Sequence, residues 1–330
     1  MVNLALLHRR AEIEGPKEVW VDVDDTVITL FGEQEEGKVG YNPRYHGRPS
    51  LMLRVATIHE TKEILAIELL DGKATGHNIQ TFLDKIEANL PRNYVLAGIR
   101  ADCGFFDEAN LEWAEGHELD YLIKVKQNST IKTVINYLTE ENMWEKLDAT
   151  YSVAEARFPL KTWKFARRFV FIREKLPPKE PRQLELFPDY KYRVIITFSL
   201  DRSLEEVWHD YNQRCDVENY IEEFKYGFAA DEESQKRILK NRCYVMVKAI
   251  AYNIIQWFKA ALLPAETNFY KVDTIRRLIL NVPGNIVIVG GGYKRMRLAA
   301  NNWLEEVVCQ VEVNIREFAE IFLRKTVLQI

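Results

Sequence analysis

Three stretches of this chain carry residue types that could do chemistry. From Tyr211 to Lys225 it reads YNQRCDVENYIEEFK. Ser203 with Glu206 makes a capping box, and no proline follows through Tyr226, so one helix is predicted across the stretch. At about 100° per residue, Arg214, Glu218, Glu222 and Lys225 all fall within about 60° of Tyr211. One stripe thus gathers a phenol, two cations and two carboxylates. By spacing alone such a stripe is ordinarily a solvated face laced by i,i+4 pairs. The second stretch is Lys17 to Phe31, KEVWVDVDDTVITLF, whose β-branched alternation predicts a strand. Period 2 puts Asp22, Asp24 and Thr26 on one face and Asp25 on the other. Aspartate is disfavoured in strands. Two on one face point to a metal, or to a strand running out into a polar loop. The third is Asp102, at the C-terminal end of a buried strand predicted over Tyr94 to Ala101.

The elements that must position these residues follow from pattern. After the first strand, GEQEEGKVGYNPRYHGRPS (Gly32 to Ser50) reads as a loop carrying Lys38, Arg44, His46 and Arg48. Leu51–His59 and Glu63–Leu70 read as a hairpin, and Gly76–Leu90 as a helix. Beyond Asp102, Phe106–Gly116 is helical, Tyr121–Val125 a strand and Ile131–Leu138 a helix. Phe165–Arg173 and Tyr190–Ser199 are strand-like, around a loop with Pro177, Pro178, Pro181 and Pro188. Residues 161–193 hold ten Lys/Arg against four Asp/Glu, with Trp163, Phe165, Phe169, Phe171 and Tyr192 interleaved. That mixture suits a DNA backbone, and it also suits a polar sheet face with core aromatics behind it. A long buried helix is predicted near Gln235–Leu262, then a helix near Thr274–Leu280, a hairpin at NIVIVGGGYKRMRL and a helix over Trp303–Lys325.

With 330 residues, 47% of them hydrophobic, the chain can bury a sizeable core. A net charge of −4 argues mildly against a nucleic-acid binder, although acidic helices could mask a basic groove. Cys103, Cys215, Cys243 and Cys309 are scattered without zinc spacing and read as reduced thiols. The start is short and soon polar, unlike a signal peptide. The apolar run Cys243–Leu263 contains Lys248, Asn253, Gln256 and Lys259, so no membrane span is expected.

Several segments together resemble one group of bacterial insertion-sequence transposases, the family usually numbered thirteen-eighty, with a group-1 DDE domain. They are VDVDDTV, the GEQEEGKVGYNPRYHGRPS loop, IRADCGFFDEANL with LDYLIKVK, the helix with Tyr211, Arg214, Glu218 and Lys225 at Y-R-E-K spacing, and AYNIIQWF. They span about Val19 to Phe258 in the family's order.

The resemblance implies an α/β fold, a ribonuclease-H-like mixed sheet flanked by helices, with a β-rich insertion before the last catalytic helix. The expected organisation is a short N-terminal remnant over 1–16, a catalytic core over 17–149 and 200–263, a strand insertion over 150–199 and a helical elaboration over 264–330. It implies Asp24, Asp102 and Glu218 as catalytic metal ligands, with Asp22 and Glu222 as their rivals. Tyr211, Arg214 and Lys225 would hold DNA phosphates. The implied cofactors are two divalent ions, Mg²⁺ with Mn²⁺ as substitute. The implied partners are double-stranded DNA, at element ends and target, and a second copy in a synaptic homodimer. The implied location is cytoplasmic, on the nucleoid. Such transposases normally carry a substantial helical region ahead of the first aspartate, so the chain is expected to be an N-terminally truncated copy.

Two other readings compete. A truncated copy could be a non-catalytic DNA-binding or inhibitory remnant. VDVDDTV also fits the nucleophile motif of haloacid-dehalogenase-type phosphatases, with Asp22 as nucleophile, Asp24 as acid/base, and Asp102 and Asp107 as a later metal motif. A hairpin directly after the first strand argues against that fold, which needs alternating βαβ units.

Overall fold

The computed structural model describes residues 2–177, 189–289, 293–299 and 301–327. The chain opens with α1 (Val2–Glu14), closed at Gly15. Gly15 has a φ of +91°, a conformation open to a residue without a Cβ. Then come β1 (Lys17–Thr29), the short β2 (Lys38–Val39), and the hairpin β3 (Pro49–Ile58) and β4 (Ile64–Asp71). Next are α2 (Gln80–Asn89), β5 (Tyr94–Ala101), α3 (Glu108–Gly116), β6 (Asp120–Lys124) and α4 (Ser129–Glu140). Four strands follow: β7 (Glu145–Lys146), β8 (Tyr151–Phe158), β9 (Arg167–Lys175) and β10 (Tyr190–Thr197). The rest comprises α5 (Leu204–Asn212), α6 (Cys215–Gly227), α7 (Ile238–Leu262), α8 (Val272–Ile275), the hairpin β11 (Gly284–Val289) and β12 (Tyr293–Leu298), and α9 (Asn302–Val327).

One large mixed sheet organises the fold, in the order β4-β3-β1-β5-β6-β10-β9-β8-β7, with β2 beside the start of β3. β1, β5 and β6 are parallel, and the other pairings are antiparallel. Alternation in β1 turns Val19, Val21 and Val23 to one face, where α1, α2, α3 and α4 close the core with Leu7, Phe82, Leu111 and Ile131. On the other face α6 and α7 cover β3 and β4 through Phe224, Val245 and Tyr252. There α5 covers β6, β9 and β10 through Val207 and Tyr211.

Three features add to the expected pattern. Within the expected short N-terminal remnant, residues 2–14 form a helix with Leu7 and Ala11 in the core. Its buried Asn3 shares a hydrogen-bond cluster with Asn253 of α7 and the Ile64 carbonyl. The strands of the expected insertion join the main sheet. β10 lies directly on β6, with Ile195 opposite Lys124, so the core sheet continues through them. One further strand, β8, absent from the expected pattern, pairs with β9. Finally, the helix expected from Ser203 to Tyr226 is two helices, broken at Gln213 and Arg214. Among the described residues no helix is long and apolar enough to cross a membrane. Pro178, Pro181 and Pro188, with Lys179 and Arg182 of the basic run, lie outside the described residues.

Candidate active site

The three aspartates of β1 each meet an arginine from a different element. Asp22 is fully buried, and Arg100 of β5 binds both its oxygens, at 2.7 and 3.0 Å. Asp25, on the opposite face, takes two hydrogen bonds from Arg54 of β3, at 2.9 and 2.8 Å. Asp24 accepts one contact of 3.0 Å from Arg214. Two arginines set in apolar runs, Arg54 in LMLRV and Arg100 in GIRA, were the sequence signal for these partners, and the sequence reading did not use it.

Parallel register then brings the first two predicted carboxylates together. Val23 of β1 lies opposite Ala101 of β5. Asp24 and Asp102, the next residues, sit just past that last parallel pair, where β5 ends and β1 runs on to Thr29 beside β3 alone. This is the end of the parallel part of the sheet, where open α/β sheets place their ligands. Asp102 then turns the chain, its carboxylate accepting the Gly104 N–H at 2.7 Å. Burial pushes the Asp24 carboxyl up to about 7, the Asp102 and Asp25 carboxylates add to that, and Arg214 opposes it. Two features fix the turn. Gly76 approaches so closely that a Cβ there would lie 2.5 Å from the Gly104 carbonyl. Buried Asn110 donates to the carbonyls of Gly76 (2.7 Å) and Phe105 (3.1 Å) and accepts from the Ile79 N–H (3.0 Å).

The helix stripe reaches this site through the break between α5 and α6. There the Arg214 N–H bonds the Tyr211 carbonyl and the Val217 N–H bonds the Arg214 carbonyl, an i to i+3 pattern tighter than an α-helix. The turn points the Arg214 side chain inward, 7% exposed, to Asp24. Tyr211 is also buried, and burial raises its phenol well above the usual value. Glu218 stands outward with its side chain 71% exposed, one oxygen 3.8 Å from Arg214. Lys225 lies farther along β1, donating to Thr26 Oγ1 (3.2 Å) and the Val27 carbonyl (3.3 Å). Of the rivals, Asp22 is closed off by Arg100, and Glu222 pairs with Lys271 away from β1.

Asp24, Asp102, Arg214, Tyr211 and Glu218 thus form one electrostatic group. Among the described residues no three His, Cys, Asp or Glu side chains stand close enough together to hold a metal ion. The donor chemistry nevertheless fits one. Asp24 and Asp102 are hard oxygen ligands of the kind magnesium and manganese prefer, and a guanidinium now supplies the positive charge at Asp24. The basic run of 161–193 resolves differently. Arg167 binds Glu115, Arg168 binds Glu155, and Arg193 binds Glu174. Arg173 lies over the rings of Trp144 and Tyr190. Arg168 and Arg193 thus tie neighbouring strands together, and Arg167 ties β9 to α3.

A family model described as transposase DDE domain, group 1, matches residues 1–319. The chain belongs to that family. No curated protein matches it. Among solved structures, it is similar to a piggyBac transposase in a synaptic complex with hairpin DNA, at 11% identity and a TM-score of 0.46, over 74% of this chain and 47% of that one. The chain therefore spans about half the length of that transposase. For a member of the DDE transposase family, the phosphatase alternative also fails on its own residue. Asp22, the nucleophile it requires, has both oxygens bound by Arg100 and is sealed from solvent.

Proposed function

We propose that this chain is a DNA transposase with a ribonuclease-H-like core, which cuts DNA strands at the ends of an insertion sequence and joins them to a target. The observation that carries the reading is that Asp24 and Asp102 stand next to the last parallel pair of β1 and β5, beside an arginine that reaches both Asp24 and Glu218. In the proposed organisation, residues 17–149 and 200–263 are the catalytic core, 150–199 the strand insertion and 264–330 the helical elaboration.

Asp24, Asp102 and Glu218 would hold two divalent ions, Mg²⁺ or Mn²⁺, which activate an attacking oxygen and stabilise a leaving one at phosphorus. The chain's own residues prepare the site. β1 and β5 fix two carboxylates, while α6 carries the third on an exposed side chain free to turn inward. Arg214 neutralises Asp24 in the absence of DNA. Its Nε is buried and without a hydrogen-bond partner among the described residues, so it has a donor to offer a phosphate. Tyr211 and Lys225 flank it as further DNA contacts. Two copies would bring two DNA ends together.

The test is cleavage of supercoiled plasmid with Mg²⁺ or Mn²⁺ by the wild type and by Asp102→Asn, alongside salt-dependent DNA binding by both. Metal-dependent nicking by the wild type alone is expected. Binding without nicking by either protein would replace the enzyme reading with that of a DNA-binding remnant.

A further inference from the structure

The loop between β1 and β3 has no part in the site described so far, yet it carries a cluster of exposed rings. Phe31 is 69% exposed, Tyr41 75% and Tyr45 47%. Single exposed rings are ordinary. Phe31 and Tyr45 are held in place, however. Phe31 and Tyr45 meet edge to face with centroids 5.6 Å apart, and the Arg48 guanidinium lies 4.9 Å over Phe31. Asn42 accepts from the N–H groups of Arg44 and Tyr45 and donates to Thr29 Oγ1 at 3.0 Å. Arg44 donates to the hydroxyl of Tyr226 at 2.9 Å, tying the loop to the end of α6. At its base the loop is bolted to the start of α7, where Glu35 accepts the Ile238 N–H at 3.0 Å. Between Lys38 and Ser50 the sequence holds Arg44, His46 and Arg48 and no carboxylate.

Rigid, exposed rings interleaved with guanidinium groups match one ligand chemistry, a nucleic-acid strand whose bases offer π-faces and whose backbone offers phosphates. A paired duplex hides those faces in its stack, so the rings select unpaired bases. β1 leads straight from Asp24 to this loop. Asp24 and Thr29 are five residues apart, roughly 17 Å along a strand. An unpaired strand, more extended than the roughly 3.4 Å rise of a duplex, covers that distance in a few nucleotides.

We infer that the Phe31–Arg48 loop is a stacking platform for unpaired DNA bases a few nucleotides from the phosphate at Asp24. The inference rests on the DNA reading above. The test compares binding of a blunt duplex with that of the same duplex bearing a ten-nucleotide single-stranded overhang, at fixed salt. 2-Aminopurine placed in turn along the overhang reports stacking by its quenching. The wild type should bind the overhang DNA about tenfold more tightly, the scale of one or two stacked bases. Quenching should peak at one or two positions within the overhang and be weak at the others. In Phe31→Ala/Tyr41→Ala the ratio of the two affinities should fall to near one. The rings are exposed, so thermal melting should match the wild type. Equal wild-type affinities for the two DNAs, or a preference that survives in the double variant, would overturn the platform while leaving duplex binding to support the transposase reading. A variant that changes only self-association would likewise overturn it and assign the rings to contacts between copies. Loss of all DNA binding by the wild type would instead remove the reading on which the inference stands.

Discussion

One guanidinium nitrogen of Arg214 lies 3.0 Å from a carboxylate oxygen of Asp24, and another lies 3.8 Å from Glu218. In the proposed site, a fixed cation here would compete with a divalent ion for the same oxygens. At about 4 Å, two unit charges near a protein surface interact by roughly 4 kcal/mol, so even a screened fraction of that repulsion is measurable. Arg214→Gln should raise Mn²⁺ affinity without DNA by about tenfold or more at pH 8, followed by electron paramagnetic resonance. Plasmid nicking should fall in the same variant. Unchanged Mn²⁺ affinity would show that Arg214 is no competitor.

Asp22 and Asp24 share a strand face but should respond in opposite ways to amidation. Asp22→Asn leaves Arg100 buried without its counter-charge, which costs about 3–5 kcal/mol. Asp24 is an ion that its surroundings already disfavour. Asp24→Asn should therefore change stability by less than about 1 kcal/mol, because relief of burial offsets the lost Arg214 contact, and it should abolish nicking. Urea midpoints for the two variants decide it. A similar loss in both would erase the distinction.

Asn110 acts on the site only through the Asp102 turn. Asn110→Ala leaves the buried Ile79 N–H without an acceptor, at a cost of about 1–3 kcal/mol. It should lower the nicking rate while DNA affinity holds. A variant with wild-type turnover would mean that the turn stays in place without the clamp.

Glu233 gives a pH signature remote from the site. It is 7% exposed, and neither carboxylate oxygen has a hydrogen-bond partner among the described residues. Burial pushes its carboxyl up to about 7, against the pull of Lys248. A carboxyl raised in the fold contributes stability that is full below its unfolded value near 4.5 and lost as pH rises through about 7. Glu233→Gln should therefore gain on the wild type between pH 5 and pH 8, on the order of 1 kcal/mol after allowance for solvent reaching the loop. Parallel urea curves at the two pH values would refute this.

The central strands were legible because burial on both faces leaves a plain signal. Tyr94–Ala101 falls on its predicted limits, and β1 ends within two residues of them. α1 was passed over because its buried positions include Asn3 and Arg10, which carry no apolar period and find their partners far away in sequence, at Asn253 and Glu63. The stripe on α5 and α6 was legible as residue types but not as geometry. A uniform 100° step places Tyr211, Arg214 and Glu218 on one face. The tight turn at Gln213–Arg214 instead turns the first two inward and leaves the third in solvent. The basic run left two readings open because charge counted along the chain ignores the carboxylates that neighbouring strands and helices bring to Arg167, Arg168 and Arg193.

The pairing of β6 with β10 sets a timetable for synthesis. Lys124 leaves the ribosome 71 residues before its partner Ile195, a wait of roughly 4–14 s at ordinary translation rates. Through that interval β6 borders the nascent sheet with its outer backbone groups unpaired, the kind of edge that recruits strands from other chains. Slowed translation between these positions should therefore lower the yield of folded protein through aggregation, even though every residue of the finished molecule is unchanged.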